Sequence, residues 1–161
     1  MTKQVTGIAP QSLIQFAAAA YQDLGMPFDD ALLAADSLVQ ADLWGHQSHG
    51  LLRLAWYCAR LRSGAMRAVT KTEVMVDAGA ICVLEGHDGV GQVIAKQAVD
   101  ESCRRAKAHG VGIVSVRNSN HFGTCMYFSR MGAAQGCITM IMSNAGPVSY
   151  THLRAHETGR N

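Results

Sequence analysis

Ile81-Cys82-Val83-Leu84, the stretch from Val93 to Lys107, and Gly112-Ile113-Val114-Ser115-Val116 read in that order as strand, helix and strand. This order decides the fold. Both short runs are β-prone, the second is expected to be buried, and Gly86-His87-Asp88-Gly89-Val90-Gly91 forms a loop after the first. Between the runs, Val93, Ile94, Ala98, Ser102, Cys103 and Ala106 recur at helical spacing and are expected to face inward. Lys96, Asp100, Glu101, Arg104, Arg105 and Lys107 are expected to face water, and Gly110 closes the helix. A crossover of this length predicts a parallel strand pair. Upstream, Val74-Met75-Val76 is split from Ile81 by Asp77-Ala78-Gly79, a hairpin pattern, so the sheet is expected to be mixed. Downstream, a helix from Cys125 to about Gln135, closed by Gly136, leads to a further expected strand, Cys137-Ile138-Thr139-Met140-Ile141-Met142.

The first third of the chain has a different period. Pro10 suits a first helical turn, and Leu13, Ile14, Ala17, Ala18 and Tyr21 form a helical stripe ended by Gly25 and Pro27. Asp29 and Asp30 offer a cap and favourable charge to a second helix bearing Leu32, Leu33, Ala35, Leu38, Val39 and Leu43. A third is expected from about Ser48 through Leu51, Leu54, Tyr57, Cys58 and Leu61 to Gly64. The fold class is therefore α/β with mixed α+β character: a helical segment over 1–65, then a mixed sheet with flanking helices over 66–147. Residues 148–161 show neither strand alternation nor a sustained helical stripe, and read as a non-native tail.

The 161 residues carry 14 basic and 12 acidic side chains, a formal charge of +2, with no run of Lys or Arg. That balance argues against nucleic acid or an anionic membrane as partner. The longest apolar run falls far short of a membrane span, and no basic-then-apolar leader is present. Four of the five cysteines fall in apolar periodic segments, which reads as reduced core thiols in a cytoplasmic protein.

Two polar corners interrupt these patterns. The first is Gly45-His46-Gln47-Ser48-His49-Gly50, followed by Arg53. If a helix starts at about Ser48, His49 and Arg53 lie four apart on one face, a proton-exchanging ring beside a fixed cation. A helix N-terminus there would also attract anions, so a carboxylate substrate and a proton transfer are suggested. The bland reading is an interhelical turn, with Ser48 as N-cap and Arg53 solvated. The second corner, Asn118-Ser119-Asn120-His121-Phe122-Gly123-Thr124, follows a strand and opens a helix, where open α/β sheets place ligands. His121 there is either a donor or acceptor in a crevice, or a hydrogen-bonded turn histidine. Gly89-x-Gly91 invites a dinucleotide-loop reading, but Ile94 stands where a third small residue is needed and no strand-borne acid follows, so a Rossmann fold is not expected. His87 and His109 read as surface residues.

Taken together, Gly45-His46-x-Ser48-His49-Gly50-x-x-Arg53, Asn118-x-Asn120-His121-Phe122-Gly123 and Ser143-Asn144-Ala145 resemble the malate/L-lactate dehydrogenase family of NAD(P)-dependent 2-hydroxyacid oxidoreductases, over about residues 10 to 147. The resemblance implies a nicotinamide-binding fold without a glycine fingerprint. It implies that His49 is the acid that protonates the carbonyl oxygen and that Ser48 orients it or binds substrate. Arg53 would hold the substrate carboxylate, and His121 would lie near the nicotinamide, with the proton role in some members. Asn144 and Ala145 would touch NAD or NADP. A homodimer is implied for the full-length protein, with a small 2-hydroxy or 2-keto acid as substrate. Trp44 stands where many members have Arg, and Ala55-Trp56 replaces a frequent Pro-Arg. Because such proteins are roughly twice this length, the chain is expected to be a fragment that does not turn over alone.

Two other readings compete. His46, His49 and His121 would make a three-histidine zinc site for a hydrolase or lyase if they converged. Alternatively, both corners are only turns of a non-catalytic interaction domain.

Overall fold

The computed structural model describes residues 7–144. Two long helices come first, α1 (Pro10–Gln22) and α2 (Phe28–Leu43). Ala17, Ala18, Ala31, Ala34 and Ala35 are all but inaccessible, so small side chains let the two backbones approach closely while Tyr21 and Leu38 fill the remaining space. The stripe expected on α1 is the one buried; on α2 Leu43 instead stays exposed at the helix end. Pro27, and neither aspartate, occupies the α2 N-cap, so Asp29 and Asp30 act on the first turn through charge alone.

The helix expected from Ser48 does not form as one piece. Gln47–His49 and Leu51–Arg53 are separate 3-10 turns, and α3 runs only from Leu54 to Arg62. Gly50 is the break, with extended backbone (φ −89°, ψ −155°). Its cause is Asp42 of α2, whose carboxylate accepts the Leu51 N–H at 2.8 Å and fills the space where a Gly50 side chain would stand.

The hairpin and the crossover are as the sequence predicts. Strand β1 (Glu73–Ala78) pairs antiparallel with β2 (Ile81–Glu85), with a bulge between Val74 and Val76. Helix α4 (Gly91–His109), closed by Gly110 in the left-handed region at φ 81°, returns the chain to β3 (Ile113–Arg117). There β2 and β3 pair parallel, with Cys82 opposite Val114 and Leu84 opposite Val116. The sheet order is β1-β2-β3, and α5 (Cys125–Ala134) follows. The main core joins α1, α2 and Tyr57 to Met66, Val90 and Val93. A second cluster of Val99, Cys103 and Phe128 lies between α4 and α5.

Three expectations fail for physical reasons. Strand β3 is not buried: it is the edge of the sheet among the described residues, and Ile113 is half exposed. Arg105 does not face water. Its side chain lies 3 % exposed and fixes α4 to the hairpin, donating to Asp77 Oδ1 at 2.6 Å, to the Gly79 and Ile81 carbonyls, and to Glu101 Oε1 at 2.7 Å. Helical periodicity does not register a buried guanidinium whose Nε and Nη1 find their acceptors inside. Finally, Cys137–Met142 belongs to no strand. Cys137 and Ile141 pack against the α4–α5 cluster while Ile138, Met140 and Met142 are exposed. The in–out alternation is therefore present, but among the described residues no neighbouring strand supplies the ladder.

Cys58, Cys82 and Cys103 are buried thiols, as expected of core cysteines, whereas Cys125 is exposed and Cys137 half-buried; all five are free. No described helix is long and apolar enough to cross a membrane.

Candidate active site

The two polar corners meet. His49, from the turn after α2, and His121, from the loop between β3 and α5, stack with ring centroids 5.6 Å apart and 23° between planes. His46 lies beside His49, centroids 5.5 Å apart and tilted by 33°, and its Nδ1 is 3.2 Å from Thr124 Oγ1 at the start of α5. Ser48 does not cap a helix. Its hydroxyl is 2.9 Å from His49 Nδ1, and its carbonyl accepts from Arg53 Nε at 2.7 Å. Because the helix breaks at Gly50, His49 and Arg53 are not stacked along one helical face; Arg53 curls back over the turn that carries His49. The cation still acts on both imidazoles. Burial lowers the pKa of His49, and His46 and Arg53 lower it further. For His121 burial again dominates, followed by His49 and Arg53. Both rings are neutral at pH 7.

The second motif divides between scaffold and site. Asn118 has φ 51° and donates through Nδ2 to Glu85 Oε2 at 2.9 Å; its carbonyl accepts from the Asp88 N–H. Asn120 is buried, donates through Nδ2 to the Asp88 and Gly89 carbonyls, and accepts from Arg60 at Oδ1. These two asparagines clasp the loop after β3 to the loop after β2 and to α3. The clasp aims His121 at His49.

The same packing gives Gly91 its role. A Cβ there would overlap the Asn120 and His121 carbonyls, so the space over this glycine is filled by the His121 loop. No phosphate cradle can exist at that point, in agreement with the failed fingerprint. His87 pairs with Glu73 at 3.2 Å, and His109 ends α4; both are remote from the cluster.

Two aromatic residues of α3, which the sequence marks only as core or as a departure, complete the cluster. Tyr57 is buried and its hydroxyl lies 2.5 Å from His121 Nδ1. Trp56 presents its ring edge-on to His121 at 5.7 Å, with the Arg53 and Arg60 guanidinium groups 5.9 Å and 5.2 Å from its centroid. The available signal was spacing: Tyr57 follows Arg53 by four residues across a helix start. Trp44, the other departure, packs against Tyr127 and under Arg130 of α5.

The zinc reading finds no geometry. His49 stacks on His121 while His46 is tilted by 33° to His49, and no group of His, Cys, Asp or Glu among the described residues is placed to hold a metal ion. For a nicotinamide cofactor the described residues fit the reacting end only. His121 borders the cluster, Asn144 is exposed at the end of the described chain, and Ala145 lies outside the described residues.

An α/β scaffold without a glycine fingerprint, with paired imidazoles and an arginine at the corner between two loops, defines a non-Rossmann class of fold and site. A model of the malate/L-lactate dehydrogenase family matches residues 8–158. Malate dehydrogenase of Pyrococcus abyssi is 36% identical over 141 residues, covering 88% of this chain and 39% of that protein. The structure of malate dehydrogenase from Pyrococcus horikoshii superposes with a TM-score of 0.79 at 35% identity, over 81% of this chain and 38% of that one. Sulfolactate dehydrogenase of Methanocaldococcus jannaschii gives 0.77 at 34% identity, over 80% and 37%. The chain belongs to the malate/L-lactate dehydrogenase family and spans less than half the length of these relatives.

Proposed function

We propose that this chain is the acid-and-clamp portion of an NAD(P)-dependent oxidoreductase that interconverts a small 2-hydroxy acid and its 2-keto acid. The observation that carries the proposal is the stack of His49 and His121 beside Arg53. Oxidation of a 2-hydroxy acid requires a hydride acceptor, a base for the hydroxyl proton and a cation for the carboxylate. A bound nicotinamide, which His121 would border, would supply the hydride acceptor, and in the reverse direction the hydride donor. His49 takes the hydroxyl proton. With Nδ1–H donated to Ser48 Oγ, its Nε2 carries the free lone pair, and the lowered pKa keeps that nitrogen unprotonated at neutral pH. In reduction the same nitrogen gives its proton to the carbonyl oxygen. Arg53 offers the carboxylate a planar fork, with Nε already fixed on the Ser48 carbonyl and its terminal nitrogens left for substrate. Trp56 walls this side of the pocket.

Asn144 and Ala145 are assigned to cofactor contact on the motif resemblance. The working enzyme is a homodimer in the cytoplasm, and this chain alone is inactive because it carries the reacting corner without a phosphate cradle among its described residues. Nicotinamide fluorescence titration of the whole protein tests the reading, together with assays on malate, lactate and sulfolactate with each cofactor. Failure to bind either NADH or NADPH would sink it in favour of an interaction domain.

A further inference from the structure

His121 Nδ1 faces two hydrogen-bond donors. The Gly123 N–H points at it from 3.3 Å, and the Tyr57 hydroxyl lies 2.5 Å away. A backbone N–H can only donate, so Nδ1 holds a lone pair and the ring proton sits on Nε2. The Tyr57 O–H therefore donates to Nδ1. Its own surroundings keep that proton in place: the side chain is 1 % exposed, and burial raises the hydroxyl pKa well above the ordinary tyrosine value. Near it lies Gln92, also buried, whose amide nitrogen and oxygen have no hydrogen-bond partner among the described residues. His121 Nε2 has no protein partner among the described residues, and the ring face rests on His49.

We infer that Tyr57 is a positioning residue that locks His121 as the neutral Nε2–H tautomer, so that His121 serves as a fixed hydrogen-bond donor to the substrate oxygen and proton exchange falls to His49 alone. This rests on the dehydrogenase reading for its substrate, but the tautomer does not. For His121 to supply a proton from Nε2, Nδ1 would have to take one from Tyr57, leaving a tyrosinate sealed from water beside an uncharged amide. For His121 to act as a cation, Nδ1–H would have to displace the Gly123 N–H and turn the buried Tyr57 hydroxyl from donor to acceptor. Both routes cost buried hydrogen bonds. His49 has no such lock, since its Nδ1 meets only the exposed Ser48 hydroxyl, which can donate or accept as the ring changes state. The arrangement thus gives two stacked histidines different roles through what touches their Nδ1 atoms.

The test is long-range proton–nitrogen correlation NMR on the chain labelled at histidine with nitrogen-15, with His121→Gln identifying the signals. The wild type is expected to show a pyridine-type Nδ1 and a pyrrole-type Nε2 at His121; the opposite pattern overturns the assignment. Tyr57→Phe keeps the ring and removes the donor, and is expected to move His121 toward a mixture of tautomers. An unchanged spectrum would remove Tyr57 from the role. In the whole enzyme, Tyr57→Phe is expected to lower kcat roughly threefold to tenfold, the worth of one hydrogen bond, with the acidic limb of the pH profile unmoved. A displaced limb would assign proton exchange to His121 and Tyr57 instead. Absence of any dehydrogenase activity would remove the substrate while leaving the NMR result standing, so the two failures are distinct.

Discussion

The His49 and His121 rings stack 5.6 Å apart although one follows α2 and the other follows β3. Burial lowers the pKa of both; His46 adds to the effect on His49, His49 adds to that on His121, and Arg53 adds to both. In the proposed reaction two neutral imidazoles leave the guanidinium as the cation for the carboxylate while one of them takes the proton.

Removing the proposed base is the most direct perturbation. In the whole enzyme, His49→Gln is expected to lower kcat by roughly 10²–10⁴-fold, the usual worth of positioned acid–base catalysis. NADH affinity, read by fluorescence titration, should stay within a factor of about two of wild type, an expectation tied to the difference between chemistry and binding. Wild-type turnover in this variant would refute the assignment of His49.

Arg53 should act on binding. Arg53→Lys keeps the charge but loses the fork and the Nε bond to Ser48, so KM for the 2-keto acid is expected to rise by roughly 10- to 100-fold, the worth of one charge-assisted hydrogen bond. Steady-state kinetics separate this from an effect on kcat, which should be the smaller of the two.

The pH dependence follows from the direction of the histidine shifts. Oxidation needs His49 neutral, so its rate should be flat around pH 7 and fall only as pH drops through the lowered pKa of His49, below the ordinary histidine value of about 6.5. Arg53→Gln removes one of the groups that lower this pKa, so the acidic limb of kcat at saturating substrate should move to higher pH. A limb that stays in place would mean that Arg53 does not act on His49.

Stability depends on Arg105 more than its surface-like sequence position suggests. Arg105→Met removes the donors that satisfy the Gly79 and Ile81 carbonyls and leaves Asp77 and Glu101 without their shared partner. Urea unfolding of the chain is expected to show a loss of about 1–3 kcal/mol, the range for buried polar groups left unpaired. Lys96→Met, whose ion pair with Asp100 is exposed, should change stability by less than about 0.5 kcal/mol and serves as the control.

Gly50→Ala tests the break before α3. Its Cβ would overlap the Asp42 carboxylate that holds the Leu51 N–H. Overpacking of this kind costs about 1–3 kcal/mol. It should also displace His49 and Arg53 together, so kcat and KM worsen in the same variant. An active, fully stable variant would show that Asp42 does not set the turn.

By itself the sequence determined the helices, the hairpin and the parallel crossover, because each is written in local apolar period and in glycines such as Gly110 and Gly136 that end a helix in the left-handed region. It also singled out His49, Arg53 and His121, since polar residues crowded between apolar runs stand out without any knowledge of contacts. Only the tertiary structure decided how those residues work. The break at Gly50 comes from Asp42 on another helix, and the burial of Arg105 from carbonyls of the hairpin turn. The exposure of β3 comes from its place at the sheet edge, and the tautomer of His121 from Tyr57, which the sequence shows only as one more apolar position on a helix. Periodicity reports which side of an element turns inward; what a polar atom meets there is set by chain segments far away in sequence, and that pairing carries the chemistry.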